Sequence, residues 1–155
     1  MKMEKALGKE LKVAALKNGT VIDHIPSDKL FKVISILKLE NLNSQITFGY
    51  NLDSSKLGKK AIIKISDKFL EQQEVNKVAL IAPTAKINII RDYEVAEKMI
   101  LTYPREVVDV VKCINPKCIT NHEPMKTKFR QAAVANTYVC HYCERAINVE
   151  NLIIE

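Results

Sequence analysis

An α+β chain built as two unequal domains is what this sequence predicts, and three observations predict it. Over the first two-thirds, apolar residues alternate between a period of two and a helical period, giving strand, helix, strand, strand, helix, strand. Around Leu101–Pro104 that pattern breaks. All four cysteines then fall in the remaining segment, at positions 113, 118, 140 and 143. A chain of 155 residues can bury one good core, or two small ones if something besides apolar area holds the second.

The first extended run is LKVAALKNG (11–19), where Leu11, Val13 and Ala15 alternate with Lys12, Ala14 and Leu16 before an Asn18-Gly19 turn signal. GTVIDHIP (19–26) continues as extended, β-branched chain closed by proline. It carries Asp23 and His24 side by side, two ionisable groups where a strand interior seldom spends them. SDKLFKVISILKLE (27–40) reads as a helix: Ser27 is the expected N-cap, and Leu30, Phe31, Ile34 and Leu37 recur at helical spacing.

ITFGYNL (46–52) alternates, with Ile46, Phe48, Tyr50 and Leu52 expected on one face. In KKAIIKI (59–65), Ala61, Ile63 and Ile65 should point inward, with Lys60, Ile62 and Lys64 on the opposite face. SDKFLEQQEVNKVALI (66–81) reads as a second helix ended by Pro83, with Phe69, Leu70, Val75, Val78 and Ala79 as core candidates. KINIIRDYEV (86–95) is expected as a last strand that places Asn88 and Ile90 on one face.

That order of elements is the signature of a ferredoxin-like split βαβ sandwich, an antiparallel sheet with two helices on one face. Its other face stays bare unless a ligand or a second copy covers it. The expected division is residues 1–103 for this domain and 104–155 for a small β-rich four-cysteine domain.

Composition is that of a globular chain, 27% charged and 47% hydrophobic. The opening MKMEKALGKE lacks an apolar core of signal-peptide type, and no run approaches the ~20 apolar residues of a membrane helix. A cytoplasmic location is the expectation. Net charge is +6, of which residues 1–103 carry +5, so the basic surplus belongs to the first domain and suits an anionic partner.

Four residues separate Cys113 from Cys118, and two separate Cys140 from Cys143. Paired, closely spaced cysteines in a chain without an export signal point to metal rather than disulfides. Tetrahedral Zn²⁺ takes four thiolates, and short knuckle turns deliver them two at a time. One structural zinc per chain is therefore expected, with its shell closed and no open position for catalysis. His122 and His141 are not needed as ligands. Four thiolates around Zn²⁺ carry −2, which takes the +1 of this segment to about −1 and argues against a nucleic-acid surface.

GTVIDHIP, then ITFGYNL, LGKKAIIKI, INIIRDYEV and the terminal four-cysteine segment occur colinearly over about residues 11–145. In this ordered set the chain resembles the regulatory chain of aspartate carbamoyltransferase. The resemblance implies a non-catalytic subunit of pyrimidine biosynthesis. Its N-terminal domain would bind nucleoside triphosphates and pair with a second copy, and its zinc domain would grip the catalytic chain. In the family two catalytic trimers are bridged by three regulatory dimers. CTP typically inhibits and ATP activates, with UTP acting beside CTP in some members.

The resemblance also implies roles for residues. Asp23 would accept hydrogen bonds from ribose hydroxyls, and His24 would approach the phosphates. Lys64 would lie near the ribose and Lys98 near the phosphates, with Lys60 adding to the positive field. Backbone of Val13, Ala14, Leu16 and Tyr93 would frame the base, and Asn88, Ile90 and Val95 would complete the pocket. Adjacent side chains alternate in a regular strand, so a local irregularity is expected at Asp23–His24. Asn115, Lys117, Glu144 and Arg145 are the expected contacts to the catalytic chain. The competing reading is a stand-alone zinc-ribbon regulator that senses a ligand or binds nucleic acid. Against it stand the weak charge of the zinc segment and the lack of a helix-turn-helix pattern. No Ser–His–Asp set, paired acids or open metal site suggests an enzyme.

Overall fold

The computed structural model describes residues 15–155. Its first part runs β1 (Gly19–Pro26), a 3-10 turn Ser27–Lys29, α1 (Leu30–Ile36), β2 (Ile46–Ser54), β3 (Gly58–Ser66), α2 (Gln72–Ile81), β4 (Lys86–Arg91) and β5 (Glu94–Ile100). These strands form one antiparallel sheet in the order β2-β3-β1-β4-β5. That is the split βαβ arrangement with one strand added at the β4 edge.

Period-two alternation decides which face meets the helices. Ile22, Ile25, Ala61, Ile63, Ile65 and Ile87 pack against Leu30 and Val33 of α1 and Val75 and Val78 of α2. Ala61, Ile63 and Ile65 are completely buried, as their spacing predicts. Among the described residues the opposite face carries a small apolar cluster, Val21, Ile62 and Ile90, with Leu16 and Leu52 beside it. Gly19 makes the close approach of β1 to β3 possible: a Cβ there would lie 2.0 Å from the Ile65 carbonyl oxygen.

Several local expectations are corrected. Of the strand expected over 11–19, residues 11–14 lie outside the described residues; 15–16 are irregular, 17–18 bend, and only Gly19 belongs to β1. Ser27 does not cap a helix; Pro26 precedes the 3-10 turn and Lys29 is the N-cap of α1, while Ser27 Oγ is buried without a hydrogen-bond partner among the described residues. The 27–40 segment is broken into two 3-10 turns around a short α1, with Lys38 left-handed. Phe31 is not core. It lies 60% exposed, its ring 5.6 Å from Tyr50 and 6.4 Å from Phe48. The single face expected for β2 is interrupted by a bulge between Gly49 and Leu52, where Asn51 is left-handed.

The second helix begins at Gln72, not Ser66. Asp67 N donates to Asn18 O and Thr20 Oγ1 to Lys68 O, which holds 67–68 against the start of β1. A reciprocal Glu71–Glu74 capping box then starts α2. Phe69 stays partly exposed under the Arg91 guanidinium, while Leu70 packs at the edge of the core. The final strand expected over 86–95 is two strands, because Asp92 and Tyr93 are both left-handed and turn β4 back into β5.

The second part contains β6 (Glu106–Val108), β7 (Val111–Lys112), β8 (Lys128–Gln131), β9 (Thr137–Cys140), β10 (Ala146–Asn148) and β11 (Ile153–Ile154). One sheet has the order β10-β9-β8-β6, and β11 pairs with β7. Phe129, Tyr138, Val107, Val110 and Ile147 form its core, and Tyr138 Oη donates to Pro104 O. Leu80 of α2 belongs to this second core, whereas its neighbour Ile81 belongs to the first. Lys29 Nζ meets Glu150 Oε2 at 3.7 Å, and Gln73 Nε2 donates to Asp109 O. No described helix is long and apolar enough to cross a membrane.

Candidate functional site

Two sites emerge, one at each end of the described chain. The first is built by knuckle turns. In the turn after β7, Cys118 N donates to Asn115 O, and Lys117 N donates to Asn115 Oδ1. In the turn after β9, Glu144 N donates to Cys140 O while Cys140 N donates to Arg145 O, with Glu144 left-handed. The sulfurs of Cys113, Cys118, Cys140 and Cys143 converge within 4.8 Å of one another.

The Cys113–Cys143 and Cys118–Cys140 sulfur separations are 3.6 and 3.8 Å. A disulfide needs about 2.05 Å. Four thiolates at about 2.3 Å from one tetrahedral ion stand about 3.8 Å apart. The cage therefore fits a single soft metal ion.

Burial pushes the Cys113 thiol up to about 12 and raises Cys140 as well. At Cys143 burial pulls upward, but hydrogen bonds from the Asn115 side chain and the Arg145 backbone, with those to neighbouring cysteines, bring it down to about 7. Such a set becomes four thiolates only when a cation replaces the protons. Neither His122 nor His141 joins the cage. His122 Nε2 lies 2.8 Å from Pro116 O, and the His141 ring stacks edge-on against Tyr142. Asn115, Lys117, Glu144 and Arg145 flank the two knuckles; Asn115 is half-buried and the other three are exposed.

The second site is the open face of the five-stranded sheet. The register places Thr47, Lys64, Val21, Asn88 and Lys98 in one row across β2, β3, β1, β4 and β5. Ile90 pairs with Val95 one row nearer the Asp92–Tyr93 turn, and Leu16 lies against Ile90's cluster. Tyr93 is 65% exposed, and its backbone N–H donates to Lys17 O. Val13 and Ala14 lie outside the described residues.

The irregularity expected at Asp23–His24 is present. The β1–β3 register slips between Ile22 and Ile25, and His24 is left-handed with φ 59°. Asp23 Oδ1 accepts from His24 N at 2.6 Å and from Lys60 Nζ at 3.0 Å. His24 Nδ1 stands 3.5 Å from Asp23 Oδ2 without hydrogen-bond geometry. Burial lowers the His24 pKa; Asp23 pulls it up, and Lys60, Lys86 and Lys56 push it further down. Burial also lowers Lys64, against the pull of Asp23. The bulge thus puts both members of the adjacent pair at one end of a lysine-lined face.

Two structural contributors escaped the sequence reading. Asn121 Nδ2 donates to both Cys113 O and Asn115 O, at 2.9 and 2.8 Å, and so ties the first knuckle shut. A polar residue just after a ligand pair is the one signal that pointed there. Thr84 Oγ1 donates to His24 O at 3.1 Å and props the bulge from the loop before β4; nothing in its local sequence announces this.

Comparison with known proteins addresses both sites. Residues 11–102 match the family profile described as aspartate carbamoyltransferase regulatory chain, allosteric domain. Residues 105–153 match the one described as aspartate carbamoyltransferase regulatory chain, metal binding domain. The chain is 57% identical over 148 residues to the aspartate carbamoyltransferase regulatory chain of Parabacteroides distasonis, covering 95% of this chain and 96% of that one. It is 57% identical to that of Bacteroides fragilis (93% and 95% covered) and 50% identical to that of Thermococcus onnurineus (93% and 97% covered). With a metal cage in one part and an allosteric-domain match over the other, this chain belongs to the aspartate carbamoyltransferase regulatory chain family and is a regulatory, non-catalytic subunit.

Proposed function

We propose that the chain divides at about residues 103–104 into a nucleotide-sensing domain and a zinc domain, and that it transmits nucleotide binding to the catalytic chains of aspartate carbamoyltransferase. The effectors are CTP and ATP, with UTP as a further candidate. The observation that carries this reading is the row Lys64–Val21–Asn88–Lys98 across the open face, with the His24 bulge a few residues further along β1. Amide, carboxylate, imidazole and ammonium groups there match a ribose and a phosphate tail. Leu16, Ile90, Tyr93 and Val95, with Val13 and Ala14, would frame the base. Asp23 would take the ribose hydroxyls, and His24, Lys60 and Lys98 the phosphates.

The four-thiolate cage suits Zn²⁺, held by Cys113, Cys118, Cys140 and Cys143, in a structural role. Asn115, Lys117, Glu144 and Arg145, set on its knuckles, would meet the catalytic chain. A second copy of the chain would pair through the N-terminal domain. Among the described residues β2 is an edge strand, and this edge with the exposed Phe31, Phe48 and Tyr50 beside it supports that pairing. Three such dimers bridging two catalytic trimers complete the proposed assembly, in the cytoplasm.

Effectors sharing one pocket oppose each other only if each prefers a different quaternary state, and about 1–3 kcal/mol of coupling suffices. The test is to assemble the chain with catalytic chains and measure aspartate saturation with and without CTP and ATP. Shifts of the curve are expected, and Lys64→Ala should weaken them while leaving assembly intact. Unchanged effector potency in Lys64→Ala would show the pocket to be misplaced.

A further inference from the structure

Three left-handed residues at one end of the sheet give their backbone N–H groups to the same two neighbours. Asp67, Asp92 and Tyr93 have φ of 58°, 51° and 67°. Asp67 N donates to Asn18 O at 2.9 Å, Tyr93 N to Lys17 O at 2.9 Å, and Asp92 N to Asn18 Oδ1 at 3.1 Å. For a side chain as bulky as Tyr93 this backbone is strained, and it persists only where the surroundings over-determine it. Asn18 is itself fixed from behind, because Gly19 approaches the Ile65 carbonyl too closely for any Cβ.

These bonds close a ring. From Asn18 it passes through Asp67 to Phe69, crosses to the Arg91 guanidinium 4.3 Å from the Phe69 ring centre, and returns along Asp92 to the Asn18 side chain. Thr20 Oγ1, donating to Lys68 O at 2.7 Å, braces it. Backbone carbonyls accept two of the three N–H bonds whatever the side chains are. The bond from Asp92 depends on the side chain at position 18.

Two segments meet at this ring. Leu16, just before Lys17 and Asn18, packs with Val21, Ile62 and Ile90 on the open face. Tyr93 and Val95, both exposed, follow Asp92. Leu16, Ile90, Tyr93 and Val95 are the residues set to frame the base, and the Lys17–Tyr93 and Asn18–Asp92 bonds hold the two segments at one separation. We propose that Asn18 is a positioning residue that fixes the width of this base slot, and with it the balance between one-ring and two-ring bases. The inference rests on the nucleotide reading above. A wall that retreats by about 0.5–1 Å forfeits about a quarter to a half of its dispersion contact. A pyrimidine cannot span the widened slot, whereas a purine can.

The experiment is calorimetric titration of the full, metal-loaded chain with CTP, ATP and inorganic triphosphate, with amide exchange at Asp92 and Tyr93 followed in the absence of nucleotide. Wild type, Asn18→Leu, Asn18→Ala and Asn18→Asp are compared, matched for melting midpoint and metal content. Leucine keeps the size of asparagine without an acceptor, and aspartate keeps an acceptor. Asn18→Leu and Asn18→Ala should speed exchange at Asp92 and weaken CTP about fivefold, the scale of one hydrogen bond. ATP and triphosphate should stay within about twofold. Asn18→Asp should keep the wild-type ratio of CTP to ATP affinity. Equal weakening of CTP and ATP, no change in either, or an Asn18→Asp ratio like that of Asn18→Leu overturns the role of Asn18 and leaves the pocket in place. A wild-type chain that binds neither CTP nor ATP overturns the nucleotide reading itself.

Discussion

The two ends of the chain reach their folds by different means. In the N-terminal sheet, Ile22, Ile25, Ala61, Ile63, Ile65 and Ile87 are completely buried beneath two helices, and apolar area alone closes the structure. In the C-terminal part the strands are two to four residues long, and three of the buried core side chains, Cys113, Cys118 and Cys140, are ligands of the cage. One core is an oily layer; the other is organised around a point. Hydrophobic stabilisation is spread over many contacts and degrades gradually, whereas a metal cage is present or absent.

The sharpest way to break that contrast is to remove the ion. Metal binding supplies on the order of 10 kcal/mol to small structural sites. Chelation, or Cys140→Ser, should unfold residues 104–155, abolish assembly with catalytic chains and leave the sheet folded. Hydrogen exchange reports both halves at once. Persistent amide protection at Phe129 and Tyr138 in a metal-free sample would erase the distinction.

The converse variant is Ile63→Ala. Emptying that fully buried site should destabilise the N-terminal unfolding transition by about 2–5 kcal/mol while metal content stays at one per chain. Denaturant melts with parallel metal assays test it, and a loss of metal alongside would mean the two cores are not independent. Smaller again is Asn121→Ala, which frees the first knuckle from two hydrogen bonds. Removing them should cost about 1–2 kcal/mol, seen as faster metal transfer to a chromogenic chelator, with little change in the sheet.

A pH test probes the sensing face. The folded chain holds His24 below its ordinary value of 6.5, so its imidazole is neutral near pH 7. Its contribution to stability is therefore complete above pH 6.5 and lost as the pH falls through the folded value. Phosphate beside the ring favours the proton, so nucleotide binding should take up protons and tighten severalfold from pH 7.5 to 6. Calorimetry in buffers of different ionisation enthalpy measures this uptake, and His24→Asn should flatten it. The smallest effect is expected from Lys29→Ala. Its pairing with the exposed Glu150 is worth less than about 1 kcal/mol, so the melting midpoint should hardly move.

The same contrast governs what the sequence made legible. Cys113, Cys118, Cys140 and Cys143 were readable because ligand spacing within a knuckle is a local property. Ala61, Ile63 and Ile65 were readable because nothing interrupts their alternation. The face of Leu52 was not, since the bulge between Gly49 and Leu52, with Asn51 left-handed, resets the period and sends it to the open-face cluster. The β4–β5 hairpin was hidden because Asp92-Tyr93 is a two-residue turn without the usual glycine. Thr84 and Asn121 matter through partners distant in space or through backbone carbonyls, neither of which leaves a periodic trace.

Leu80 and Ile81 set the mechanical character of the joint. Adjacent residues at the end of α2 are rooted in different cores, so the helix terminus works as a pivot pin shared by both bodies. Pulling the parts fully apart would strip Leu80 of its burial, worth about 1.5–3 kcal/mol for such a side chain, whereas a small tilt about it keeps that burial. Lengthening the connection between the halves would therefore leave Leu80 as the contact that still ties α2 to the second core.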